Sequence, residues 1–156
     1  MASLRIREAT SHEDLAEVHQ LFLAYAKSLG ISLCFQNFEQ ELAGLPGAYA
    51  PPAGCLLLAE FDGAAGGCVA LRPLQNQACE MKRLFISPDF RGTGSGRMLA
   101  LAIVSKAKSL GYATIRLDTL PSMVAAIQMY ESLGFQRIEP YYDNPVPGAL
   151  FLECKL

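Results

Sequence analysis

No apolar run in this chain approaches the roughly 18 residues that a membrane helix needs, and the N-terminus, MASLRIREAT, lacks the apolar stretch of an export signal. The expectation is a cytoplasmic protein without a membrane span. The five cysteines, Cys34, Cys55, Cys68, Cys79 and Cys154, are odd in number and contain no CxxC pair. That spacing speaks against a disulfide framework and against a zinc site, and reduced, mostly buried thiols are expected. Histidine is scarce as well: His12 and His19 stand too far apart for a helical metal pair, so no metal is expected. No basic run interleaved with aromatics occurs and the net charge is −2, so nucleic acid is not an expected partner. Nor is there an internal repeat, a low-complexity tract or a linker; 156 residues fit one domain, 1–156.

What is present is a regular succession of elements. Leu4-Arg5-Ile6-Arg7 alternates like a half-exposed strand. Ser11 with Asp14 three residues on predicts a capping box, and Leu15, Val18, Leu21, Phe22, Tyr25 and Leu29 follow at helical spacing until Gly30 stops the helix. A short helix is expected at Phe38–Leu42, then a loop rich in proline and glycine. Cys55–Phe61 and Gly67–Leu71 read as strands joined through the hairpin signal Asp62-Gly63. Cys79–Ser87 forms the next strand, Met98–Leu110 a helix without acidic residues, and Ala113–Thr119 a strand expected to run parallel to its predecessor in a β-α-β unit. Ser122–Leu133 predicts the last helix, closed by Gly134, with final strands at Phe135–Ile138 and Leu150–Cys154. The sum is an α+β domain with a mixed, mostly antiparallel sheet and about four helices.

Between the strand ending LFIS and the helix lies RGTGSG. Gly92, Gly94 and Gly96 let the backbone take positive φ and leave its N–H groups unobstructed. The first N–H groups of a helix lack internal partners and meet the positive end of the dipole, so this junction suits an anion such as a phosphate. Arg91 and Arg97 would oppose the dipole unless an anion offsets them. A dinucleotide fingerprint needs a third glycine where Arg97 stands, and a Walker loop needs a lysine that is missing here.

Two motifs together, Arg91-x-x-Gly94-x-Gly96 after Leu84-Phe85-Ile86-Ser87-Pro88, and Ala126-x-x-x-Tyr130-x-x-x-Gly134-Phe135 downstream, resemble those of the GNAT superfamily of acyl-CoA-dependent N-acetyltransferases. The element order matches along essentially the whole chain. The resemblance implies that Arg91, Gly92, Thr93, Gly94, Ser95, Gly96 and Arg97 hold the pyrophosphate of acetyl-CoA and that Leu84, Phe85 and Ile86 pair with its pantetheine arm. It also implies that Tyr130 lies near the sulfur as general acid, and that Glu80 is the general base for an amine attacking the thioester directly in a ternary complex. The implied acceptor is a small-molecule amine, amino-acid-like if Arg72, Lys82, Arg83, Tyr141, Tyr142 and Asn144 converge on it. A protein amine, or a non-catalytic acyl-CoA-binding module, are the alternatives; a homodimer is implied by the resemblance alone.

Each residue also has a plainer reading. Tyr130 lies at core spacing from Met123, Ile127 and Leu133. Glu80 pairs equally well with Lys82 or Arg83, and strict alternation puts Glu80 and Lys82 on one face and Met81 and Arg83 on the other unless a bulge shifts the phase. Asp118 and Thr119 are expected to cap the following helix, with lining of an acyl pocket as the second reading. Met123 stands where many members of the resembling family have an asparagine whose amide contacts the cofactor.

Overall fold

Apolar strands that are buried on both faces require cover on both sides, and the chain supplies it. The structure, a computed structural model, describes residues 3–156 apart from the Phe35 side chain. Strands β1 (Leu4–Glu8), β2 (Cys55–Phe61), β3 (Ala64–Pro73), β4 (Ala78–Ile86), β5 (Thr114–Thr119), β6 (Gln136–Ile138) and β7 (Leu150–Lys155) form one sheet in the order β1-β2-β3-β4-β5-β7-β6. Its neighbours run antiparallel except β4 and β5. Among the described residues four α-helices accompany it: α1 (His12–Leu29), α2 (Phe38–Ala43), α3 (Ser95–Ser109) and α4 (Val124–Ser132). This is the mixed α+β architecture expected above. None of these helices is long and apolar enough to cross a membrane.

One face of the sheet packs Leu56, Leu58, Cys68, Ala70 and Phe85 against Val18, Leu21 and Phe22 of α1. The other packs Leu57, Val69, Leu71, Met81 and Ile86 against Leu99, Ala100 and Ile103 of α3, with Tyr130 of α4 in the same cluster. Helix α1 begins as its sequence predicts: the Ser11 hydroxyl accepts from the Asp14 N–H while the Asp14 carboxylate accepts from the N–H of Thr10 and Ser11. The same carboxylate takes a bidentate pair from Arg7 at 2.9 and 2.7 Å, so one aspartate ties β1 to the start of α1.

The hairpin turn has positive φ at both Asp62 and Gly63, as its sequence demands. Strand β3 starts three residues before the expected Gly67. Glycine at Gly66 is required because a Cβ would lie 2.4 Å from the Phe90 ring. Phe90 stacks on Phe61 at 4.3 Å and thereby pins the turn that precedes the glycine loop to the sheet.

Two features of β4 position the site. Its parallel pairing with β5 covers only Ala78–Glu80 against Thr114–Arg116, after which the two strands separate. Facing β3, the register slips: Cys68 pairs with Phe85 but Ala70 with Lys82, which leaves an extra residue on β4. The left-handed residue is Arg83, φ 61°. The bulge corrects the expected alternation, because Arg83 leaves the strand on the side of Lys82 rather than of Met81 and reaches Glu41, Tyr25 and Phe38.

Candidate functional site

The gap between β4 and β5 holds two neighbouring cavities. The outer is a cleft of about 550 Å³, walled by Leu84–Ile86, by the glycine loop and by the start of α4 from Met123 to Ala126. The inner is a chamber of about 50 Å³ with Lys82, Arg83, Asp118, Tyr130 and Asn144 in its wall. Tyr25, Leu84 and Met123 line both.

The cleft is built by local geometry. Beyond Glu80 the edge of β4 that faced β5 loses its partner, so the backbone of Leu84–Ile86 borders the cleft instead of a strand. Gly92 and Gly94 have φ of 85° and 78°, and Gly94 is the N-cap of α3, whose first turn carries no acidic residue. The helix starts at Ser95, three residues before the expected Met98, because Gly94 itself makes the cap. A side chain at Gly96 would meet only Ile86, at 3.8 Å, so what glycine provides there is open access to helix N–H groups. The Arg91 guanidinium donates from Nε to the carbonyl of Ile86 at 2.8 Å and sits 5.5 Å from the Phe85 ring, which aims a fixed cation along the cleft.

Of the residues assigned from sequence to the cofactor, Leu84, Phe85, Ile86, Arg91, Gly92, Gly94, Ser95 and Gly96 line this cleft. Thr93 and Arg97 do not. The Thr93 hydroxyl turns back to the carbonyl of Phe90 and to Ser95, and Arg97, on the outward side of the first turn of α3, donates to the Ser132 hydroxyl at 2.7 Å. Tyr130 belongs to the inner chamber, where its ring leans on Phe135 at 5.7 Å. Burial pushes its phenol well above the usual tyrosine range, so it stays protonated at any ordinary pH.

Glu80 is fully buried and lines neither cavity. Its carboxylate accepts from Arg72 Nε at 2.7 Å and from the Tyr141 hydroxyl at 2.5 Å. The next tyrosine in the chain, Tyr142, donates its hydroxyl to Asp118, which also accepts from Asn144 Nδ2 at 2.9 Å. Adjacent tyrosines of the β6–β7 loop thus hold a carboxylate on β4 and another on β5. Asp118 therefore lines the chamber, whereas α4 has no side-chain cap; the capping expectation is corrected. Thr119 instead donates to the thioether of Met123 at 3.7 Å.

Lys82 is the chamber's least satisfied charge. Its side chain is 7% exposed, Glu80 stands 4.0 Å away, and the hydrogen-bond acceptor it reaches is Gln36 Oε1 at 3.1 Å. Burial, reinforced by Arg83, lowers its pKa to about 8. Arg83 by contrast is neutralised by Glu41, through contacts of 3.0 and 2.9 Å. Gln36 also donates to the Tyr142 hydroxyl at 3.1 Å, completing a chain from Lys82 through Gln36 and Tyr142 to Asp118. No sequence signal marked Gln36, which sits in a 3-10 turn at Cys34–Gln36.

Residues 15–135 match the model of the Acetyltransferase (GNAT) family. The chain belongs to the GNAT acetyltransferases. An uncharacterized N-acetyltransferase of Schizosaccharomyces pombe is 38% identical over 146 residues, 92% of this chain and 90% of that protein. The N-acetylaspartate synthetase of Danio rerio is 28% identical over 126 residues, covering 80% of this chain and 45% of that longer protein. Among solved structures, the PaiA N-acetyltransferase of Thermoplasma acidophilum, in complex with coenzyme A, shares the fold at a TM-score of 0.73 and 19% identity, with 99% of each chain covered. Family membership makes this an acyl-CoA-dependent N-acetyltransferase. In this GNAT chain Met123, which stands where the family resemblance anticipated asparagine, lines both cavities.

Proposed function

We propose that this GNAT enzyme, a single catalytic domain, moves the acetyl group of acetyl-CoA to the amine of a small, amino-acid-like molecule by direct attack in a ternary complex. The observation that carries the proposal is the meeting of two unlike cavities at Leu84: a long cleft ending on a helix N-terminus, and a small polar chamber holding charges of both signs. The pyrophosphate sits on the N–H groups from Gly92 to Gly96, with Arg91 beside it. The pantetheine follows the free edge of Leu84–Ile86, and a strand N–H there stabilises the oxyanion.

The unprotonated amine nitrogen bonds to the thioester carbon, the C–S bond breaks, the sulfur takes the proton of Tyr130, whose raised pKa keeps it protonated until then, and the proton shed by the nitrogen restores the phenol. No covalent acyl-enzyme is needed, since holding both reactants in line supplies much of the rate. Glu80 is given a positioning part, through Arg72 and Tyr141. The test has two readouts. Calorimetry should show coenzyme A binding, and thiol release with an amine panel should show transfer; Tyr130→Phe should lower turnover about tenfold or more while leaving coenzyme A affinity in place. Failure to bind coenzyme A at millimolar concentration would overturn the proposal.

A further inference from the structure

The chamber has two charges with unused bonding capacity, one on each of the separated strands. The Lys82 ammonium carries three donors and spends one on Gln36. The carboxylate that would be its natural partner, Glu80, is engaged by Arg72 and Tyr141 and stands at 4.0 Å. Asp118 accepts both of its hydrogen bonds, from Tyr142 and Asn144, on Oδ2, and Oδ1 has no partner among the described residues. The chain through Gln36 and Tyr142 holds these two groups in fixed relation across the gap. A buried cation short of acceptors and a carboxylate oxygen short of donors, in the wall of one cavity, form the complement of a zwitterion.

We propose that the acceptor is a free amino acid bound at two points, its carboxylate on Lys82 and its amine on Asp118, and that Asp118 takes the amine's first proton. This rests on the acetyl-transfer reading above and deepens it. An amino acid enters as an ammonium, which cannot attack. Asp118 Oδ1 removes one proton, the freed nitrogen bonds to the thioester carbon, and as the C–S bond breaks the nitrogen sheds its second proton. The thiolate takes a proton from Tyr130 and the second amine proton restores the phenol. The products are the N-acetyl amino acid, coenzyme A with its thiol, and one proton passed from Asp118 to water. The chamber's size sets a limit: at roughly 10–15 Å³ per water-sized site it takes the two charged groups and a few carbons, so a larger side chain must project into the cleft.

The test compares common L-amino acids with their carboxamides as acceptors, at saturating acetyl-CoA, in the wild-type protein, Lys82→Met and Asp118→Asn. In the wild type an accepted amino acid should exceed its carboxamide in kcat/KM by about tenfold or more, because the carboxamide forfeits a charge-assisted bond. Lys82→Met should erase that preference, chiefly through a higher KM for the acid, and Asp118→Asn should lower kcat on acid and amide alike. Coenzyme A affinity should stay unchanged in both. Acetylation of acid and amide alike, acetylation of no amino acid by a protein that binds coenzyme A, or an equal loss on acid and amide in Lys82→Met overturns the two-point site and leaves the acetyl-transfer reading intact. The wild-type comparison holds even if a variant fails to fold. Absence of coenzyme A binding would instead remove the reading beneath it.

Discussion

Lys82 and Arg83 are consecutive on β4 and their side chains leave the strand on the same face. In a regular strand neighbours point to opposite sides, and the exception comes from the left-handed backbone of Arg83 and the register slip against Cys68 and Ala70. One cation is then spent on Glu41 and the other is left facing the chamber. The same bulge lies just before Leu84–Ile86, at the stretch of β4 that borders the cleft.

A cation held in this way weakens the fold. The folded-state pKa of Lys82, about 8, lies below its usual 10.5, so between those values the unfolded chain binds more protons and stability rises with pH. Below pH 8 the full penalty applies. Lys82→Met should therefore stabilise the protein at neutral pH, by on the order of 2 kcal/mol, with the gain shrinking toward pH 10. Thermal melts of the two proteins across pH check this; a gain independent of pH would assign it to packing instead.

Glu80→Gln should be mainly a stability defect. It leaves Arg72 and Tyr141 without their carboxylate; because Arg72 is partly exposed, the loss should be about 2–3 kcal/mol, less than for a fully buried pair. At a temperature where the variant is folded, its pH–rate profile should keep the wild-type shape. A displaced acid limb would make Glu80 the proton acceptor.

At Gly96 stability and function should part company. A methyl group there meets nothing closer than 3.8 Å and φ is not positive, so Gly96→Ala should gain about 0.5–1 kcal/mol by reducing unfolded-state freedom. Gly96→Val should weaken coenzyme A about tenfold or more by covering the helix N–H groups. Denaturant melts and calorimetry on the two variants separate the effects.

Asp14 should dominate the acid limb of stability. Arg7 first, then the N–H groups of Thr10 and Ser11, hold its pKa below the usual carboxylate range, so its contribution is complete above about pH 4 and is lost as pH falls through the depressed value. Asp14→Asn should cost about 2 kcal/mol at pH 7 and much less at the lowest pH at which the protein still folds. Urea titrations at several pH values measure the difference.

Much of the fold was legible in the sequence because its signals are local. Ser11 and Asp14 marked a cap that forms as written, Asp62-Gly63 marked a turn, and the glycines of RGTGSG marked where a helix opens toward the cleft. Covalent backbone limits and helix or strand periodicity act over a few residues, so neighbours in sequence suffice to state them. The side-chain placements that give the chamber its chemistry were decided at longer range. Arg97, Thr93 and Glu80 have the right residue types for the roles expected of them, yet Ser132, Phe90, Arg72 and Tyr141 draw their polar groups away from the cavities. Gln36 and Asp118 carried no sequence signal for the link they share through Tyr142. That link spans 106 positions of the chain from Gln36 to Tyr142. The residues alone determined where glycines open a helix N-terminus beside the cleft; which charges remain free near it depended on partners that only the packing of distant segments brings within hydrogen-bond reach.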